Sequence, residues 1–178
     1  RFGGRYNQFL YEIKNREGYS EKEWRLFQEK AYFNTIRNAY ENTNYYKSTW
    51  DSLGLDINEI SKLKNISTLP FLEKKEVKNK IDNFLTNVIQ KNKLISDHTS
   101  GTTGTPLTIW MDYKTSQNWT ALIESRVRNW ANISWGESWA MIGGQLVIPV
   151  KRKIPPFWVW NSAFKQLYMS SYHLNEKN

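Results

Sequence analysis

The chain contains no cysteine, so disulfides and thiolate chemistry are excluded. It has two histidines, His98 and His173, and no Cys/His spacing for a protein-only zinc site, so no metal centre is expected. No apolar run approaches the length that crosses a bilayer. The opening Arg1-Phe2-Gly3-Gly4 carries no apolar segment of the signal-peptide kind. These absences fit a reducing, cytoplasmic setting. Repeats, low-complexity tracts and a clear linker are also missing.

What remains is ample for a folded core. The 178 residues are 39% hydrophobic, with a mean hydropathy of -0.70. Net charge is +8, dispersed in short clusters such as Lys74-Lys75 and Lys151-Arg152-Lys153 rather than in a basic tail. Such a balance reads as a solvated basic surface or as a field that attracts polyanions. Nine tryptophans fill core or stack on ligands.

The first half reads as helical. Ser20 and Glu23 form a capping box, and Leu26, Phe33, Ile36 and Tyr40 follow on one helical side, flanked by Tyr32 and Ala39. Asn42-Thr43-Asn44 breaks the pattern. Asp56 to Glu59 looks like a second cap, ahead of Ile57, Ile60 and Leu63 at helical spacing. Leu69-Pro70-Phe71-Leu72 is extended, because a residue before proline avoids the α region. A third helix is expected over residues 73–83, with Val77, Ile81 and Leu85 on one face.

The second half changes period. Residues 93–97 read as a strand, and Leu107, Ile109 and Met111 alternate with Thr108, Trp110 and Asp112 as a strand does. A helix is expected over 115–131, with Trp119, Leu122, Ile123, Val127 and Trp130 as its apolar face. Strands follow at 138–142, ending at Gly143-Gly144, at 146–148 and weakly at 167–172. Ile154-Pro155-Pro156-Phe157 is a loop. The organisation expected is a mainly helical segment over 1–90 and an α/β segment over 91–178, both parts of one incomplete domain.

Between the first two strands lies Thr99-Ser100-Gly101-Thr102-Thr103-Gly104-Thr105-Pro106-Leu107. Glycines let backbone approach a ligand closely, successive N–H groups can form an anion nest, and hydroxyls add donors. A cluster of this composition between strands also serves as a plain turn. It is not a Walker loop, since no Gly-Lys-Ser/Thr follows. His98 beside it reads as a strand-end residue. Lys74 and Arg126 could steer a phosphate or carboxylate, or could simply be surface groups.

The run Ser100-Gly101-Thr102-Thr103-Gly104-Thr105-Pro106 resembles the phosphate-binding signature of the adenylate-forming superfamily. Leu107, where many members have Lys, points to the branch similar to phenylacetate–CoA ligase and CapK-type capsule proteins. Tyr45-Tyr46, the Leu69-to-Lys74 step, Arg126 and Arg128, and Ser170-Ser171-Tyr172-His173-Leu174 follow the order of that branch. The resemblance implies an α/β fold: a helical segment, then the start of the mixed-sheet N-terminal domain. It implies ATP with Mg2+, a small-molecule carboxylate, and transfer of the acyl group to CoA or another acceptor. Ser100, Thr102, Thr103 and Thr105 would donate to phosphates, with backbone N–H groups from Gly101 and Gly104. Trp139, Ile142, Gly143 and Gly144 would begin the acyl pocket. Catalytic residues, the hinge and a mobile C-terminal domain would lie downstream of Asn178. The competing expectation is a basic, Trp-rich module that binds nucleic acid or an acidic glycan.

Overall fold

The structure, a computed structural model, describes the chain apart from residues 1–2, 100–105, 134–135, 145 and 175–178. It is mixed α/β and divides into two compact units, residues 1–122 and 123–178.

The first unit opens with α1 (Tyr6–Asn15), where Tyr6, Phe9, Leu10 and Ile13 recur at helical spacing. That stripe packs on Ala121 of α6 (Tyr113–Ile123), and the Gln117 amide donates to the Gly3 carbonyl at 2.8 Å. Next comes α2 (Glu21–Asn42), which begins with the capping box read from the sequence: Ser20 N–H donates to Glu23 Oε2 at 2.8 Å, and Glu23 N–H donates to Ser20 Oγ at 3.4 Å. Its inner stripe is Tyr32, Ile36, Ala39 and Tyr40. Leu26 and Phe33, expected on that side, are exposed. On this outer side the contacts are local: Arg16 lies 4.6 Å from the Phe27 ring, Tyr19 packs edge-on to Trp24, and Arg37 lies 5.7 Å from the Phe33 ring.

Thr43 is extended and ends α2, and α3 (Asn44–Ser52) follows at once. A Schellman motif closes α3: Leu55 N–H donates to the Trp50 carbonyl, Gly54 N–H to that of Asp51, and Gly54 takes φ +65°. Short α4 (Ile57–Ile60) is capped by Asp56, which accepts from Asn58 N–H. Ile36, Trp50 and Ile60 then form the core between these helices, with Tyr40 stacked on Trp50 at 6.3 Å. The Tyr32 hydroxyl ties α2 to the Ile60 carbonyl at 2.9 Å.

Residues 69–72 carry no helix or strand, as the Leu69-Pro70 step requires. The helix expected over 73–83 is shorter: α5 covers Lys74–Asn79, Lys80 leaves the helical region (φ −122°, ψ 28°), and a 3-10 turn covers Ile81–Phe84. Phe84 is thereby turned onto Tyr45, ring to ring at 3.9 Å. Strands β1 (Ile95–His98) and β2 (Thr108–Met111) form an antiparallel hairpin, while Lys93 belongs to a preceding 3-10 turn.

The second unit opens with a π-helical turn (Glu124–Arg128) and a 3-10 turn (Asn129–Ala131), which ends at left-handed Asn132. The apolar face expected over 115–131 is not an inner face: Trp119, Val127 and Trp130 are 61%, 57% and 70% exposed, whereas Ala121, Glu124 and Ser125 are buried. A π turn holds more residues than an α turn, so a 3.6 period carried from α6 into it loses phase at Val127 and Trp130, while Trp119, inside α6, lies on the uncovered side of the helix. The sheet of this unit has the order β3 (Trp139–Gly143), β5 (Gln166–Ser170), β4 (Trp158–Asn161). β5 is parallel to β3 and antiparallel to β4. No strand forms over 146–148, although Ile148 is buried.

Candidate functional site

The hairpin presents the glycine-rich connection. Its register pairs Ile95 with Met111, Ser96 with Trp110, Asp97 with Ile109 and His98 with Thr108. One step further, Thr99 N–H donates to the Leu107 carbonyl at 3.0 Å, and Leu107 N–H donates to Thr99 Oγ1 at 3.0 Å. These two bonds close the base of the loop and hold its ends at a strand-pair spacing. Residues 100–105, which carry the expected phosphate donors Ser100, Gly101, Thr102, Thr103, Gly104 and Thr105, lie outside the described residues.

The rim of the loop is polar and open. His98 and Asp97 are exposed, and Thr99 and Thr108 are half-buried. His98 Nδ1 and Thr108 Oγ1 are 3.2 Å apart across the strands. Thr99 Oγ1 accepts from the Leu107 amide, which leaves its own O–H as a donor. Further along the hairpin, Lys91 sits 5.0 Å from the Trp110 ring and 2.7 Å from Asp82 Oδ1. Asp112 follows β2 and caps α6, accepting from Thr115 N–H at 2.7 Å. Burial opposes its ionisation. The Thr115 hydroxyl and amide, with Lys114 and Arg5, outweigh this and hold its pKa below the ordinary value.

A cavity of about 410 Å3 runs beside β2, walled by Trp110, Met111 and Asp112 on one side and Asn38 and Asn42 on the other. A second groove, of about 300 Å3, lies between Ile36, Tyr46, Trp50 and the segment Leu69 to Leu72.

Trp139, Ile142, Gly143 and Gly144 lie on and just after β3. Strand alternation places Trp139 and Gly143 on one sheet face and Ile142 on the other. The Arg128 guanidinium lies 5.1 Å from the Trp139 ring and 3.0 Å from buried Glu124 Oε2. The Gly143 carbonyl accepts from Ser171 Oγ at 2.7 Å, and that of Gly144 from the Tyr172 hydroxyl at 3.2 Å. A side chain at Gly144 would meet no described atom within 4 Å. Lys74 is exposed at the start of α5, and Arg126 lies 5.8 Å from the Trp130 ring.

Sequence reasoning passed over one arrangement. His173 is buried, its ring stacked on Phe157 at 4.6 Å, with Nδ1 2.8 Å from Ser170 Oγ and Nε2 3.0 Å from the Arg152 carbonyl. A carbonyl only accepts, so Nε2 carries the proton, and in the neutral ring Nδ1 accepts from Ser170. Ser170 is 2% exposed and closed to substrate. The pair pins the end of β5 to the loop before β4. No spacing signal in the sequence announces it, because Arg152 and Phe157 come from elsewhere in the chain.

A mixed α/β segment with two strands flanking a Gly/Thr-rich sequence is thus in place, and the chain is similar to part of two larger proteins. Protein CapK of Staphylococcus aureus is 27% identical over 150 residues, which cover 84% of this chain and 32% of that protein. Phenylacetate-coenzyme A ligase of Aromatoleum evansii is 26% identical over 112 residues, covering 61% of this chain and 25% of the ligase. The aligned part is therefore about a third or less of the length of these relatives. No family model matches the chain.

Proposed function

We propose that this chain is part of an adenylate-forming ligase, and that the β1–β2 connection binds the β- and γ-phosphates of ATP. The observation that carries the reading is the sequence run Ser100 to Pro106 between two strands that pair as an antiparallel hairpin, in a chain distantly similar to a coenzyme A ligase. The rim supports it: both loop ends are pinned by hydrogen bonds, and the Thr99 hydroxyl keeps a free O–H donor beside the run.

In this reading, a carboxylate attacks the α-phosphorus of ATP and pyrophosphate leaves. The acyl-adenylate then passes its acyl group to CoA or another acceptor, releasing AMP. Two anions must meet, and negative charge grows on the leaving pyrophosphate, so preorganised donors lower the barrier. Ser100, Thr102, Thr103 and Thr105 would supply hydroxyls, and Gly101 and Gly104 backbone N–H groups. Mg2+ would arrive with the phosphates and take oxygen ligands, with no protein ligand assigned. The carboxylate is already ionised at neutral pH, so the first step needs no general base. An aryl acid joined to CoA, or a precursor of capsule or surface polysaccharide, are the two substrate settings proposed, in the cytoplasm. Trp139 with Gly143, or Ile142 on the opposite face, would contribute to the acyl side.

The test is isotope exchange between pyrophosphate and ATP, catalysed by the full coding frame with a panel of carboxylic acids. Gly104→Val is expected to abolish exchange, because a β-branched residue resists the backbone freedom that a glycine nest uses. Exchange that survives this change refutes the phosphate role. Binding to nucleic acid or acidic glycan that falls steeply with salt and ignores Gly101 and Gly104 would support the binding-module reading instead.

A further inference from the structure

Phe71 is 98% exposed, at the middle of the extended segment that precedes α5. A large apolar ring held fully in water is costly and does nothing for this unit's own core. Leu72 beside it is 39% exposed, and Ile66 in the preceding 3-10 turn is 54% exposed. The same stretch is basic. Residues 62–80 contain six lysines against two glutamates, Glu73 and Glu76. Lys62 pairs with Glu59 and Lys80 with Glu76. Lys74, Lys75 and Lys78 are exposed and make no ion pair among the described residues.

Apolar tips beside unneutralised lysines match the boundary of an anionic lipid bilayer, where acyl chains lie just beneath negative headgroups. Nucleic acid fits the stretch less well. It offers a single aromatic side chain for base stacking, its other exposed apolar groups are aliphatic, and it contains no arginine for forked phosphate contacts. We propose that residues 66–78 form a peripheral docking surface for anionic membranes, with Phe71 as the inserting side chain and Lys74, Lys75 and Lys78 as the headgroup contacts. This surface is separate from the glycine-rich connection and does not depend on the ligase reading.

The test is co-sedimentation of the 178-residue chain with vesicles of phosphatidylcholine alone, or of phosphatidylcholine and phosphatidylglycerol in roughly equal parts. Binding is expected to the anionic vesicles only, and to fall as salt is raised. Phe71→Ala is expected to weaken it about tenfold, and Phe71→Trp to preserve it. Lys74→Glu with Lys75→Glu should weaken it about a hundredfold or more, since each lysine near such a surface contributes about fivefold and reversal also adds repulsion. All three positions are exposed, so the fold, checked by circular dichroism, should be unchanged. Absence of binding to anionic vesicles, equal binding to neutral ones, or wild-type binding by Phe71→Ala overturns the proposal. So does displacement from vesicles by single-stranded DNA whose own affinity falls in Phe71→Ala, which would assign the surface to nucleic acid.

Discussion

Thr99→Val probes the closure of the glycine-rich connection without altering its shape. Valine replaces the hydroxyl by a methyl of similar size, so packing at this half-buried position is retained. What is lost is the acceptor of the Leu107 amide at 3.0 Å. The reciprocal bond, Thr99 N–H to the Leu107 carbonyl, uses backbone atoms and survives. Leu107 is half-buried, so water can partly replace the lost partner, and the cost is that of one ordinary hydrogen bond, about 1 kcal/mol. The loss falls at the open end of a two-stranded hairpin whose last strand pair is His98 with Thr108. Local opening there should therefore rise roughly fivefold, with global stability changed by no more than about 1 kcal/mol. Amide hydrogen exchange is the assay: Leu107 should exchange roughly fivefold faster in Thr99→Val and at the parent rate in Thr99→Ser, while Met111, opposite Ile95 at the far end of the hairpin, is unaffected. Equal protection of Leu107 in parent and Val variant, or equal acceleration in Ser and Val variants, would refute the idea that this hydroxyl closes the loop. If the loop holds phosphate, ATP affinity should fall in Thr99→Val in step with that opening.

Asp112→Ala should destabilise the first unit by about 1 kcal/mol in urea melts, through loss of the α6 cap. Since the native pKa of Asp112 lies below its ordinary 3.8, this carboxylate adds stability at higher pH. That contribution is lost as pH falls through the lowered native value, so the variant's acid limb below about pH 4 should be shallower than the parent's. In the second unit, His173→Phe keeps the stack on Phe157 but strands the Ser170 hydroxyl and the Arg152 carbonyl. A loss of about 1–3 kcal/mol is expected in thermal or chemical denaturation, and a neutral result would show that neither bond matters.

Features legible in the sequence were those settled by neighbours a few residues apart. The Ser20/Glu23 box needs only one turn of backbone and is found as read. The alternation over residues 107–112 is likewise local, as is the extended Leu69-Pro70 step, and a strand is found at Thr108–Met111; the strand read at 93–97 begins two residues later, at Ile95. The glycine-rich connection was recognisable from composition, and the hairpin pairing beneath it adds the frame at Thr99 and Leu107.

Other features depended on partners far along the chain. Helix α3 hid behind the Asn42-Thr43-Asn44 break, because its stability comes from Trp50 and Tyr45 packing on distant residues. Strand β4 lay next to a Pro-Pro loop and is defined by its pairing with β5, not by its own four residues. Residues 73–83 had a continuous apolar period, yet the bend at Lys80 gains the Tyr45–Phe84 stack that a straight helix would forgo. Which side of a periodic segment is covered is likewise a tertiary outcome: Trp119 and Trp130 obey a helical period and are exposed, while Ala121 and Ser125 are buried.

Sequence alone determined the caps, the turn chemistry, the basic charge and the hydroxyl-rich loop, since each rests on covalent geometry or on side chains within a turn of one another. Only tertiary structure decided the register that closes the loop, the buried Ser170–His173–Arg152 clip and the exposure of Phe71 beside free lysines. Those depend on which distant surfaces meet, and a hydrophobic pattern specifies that a face seeks cover without specifying what covers it.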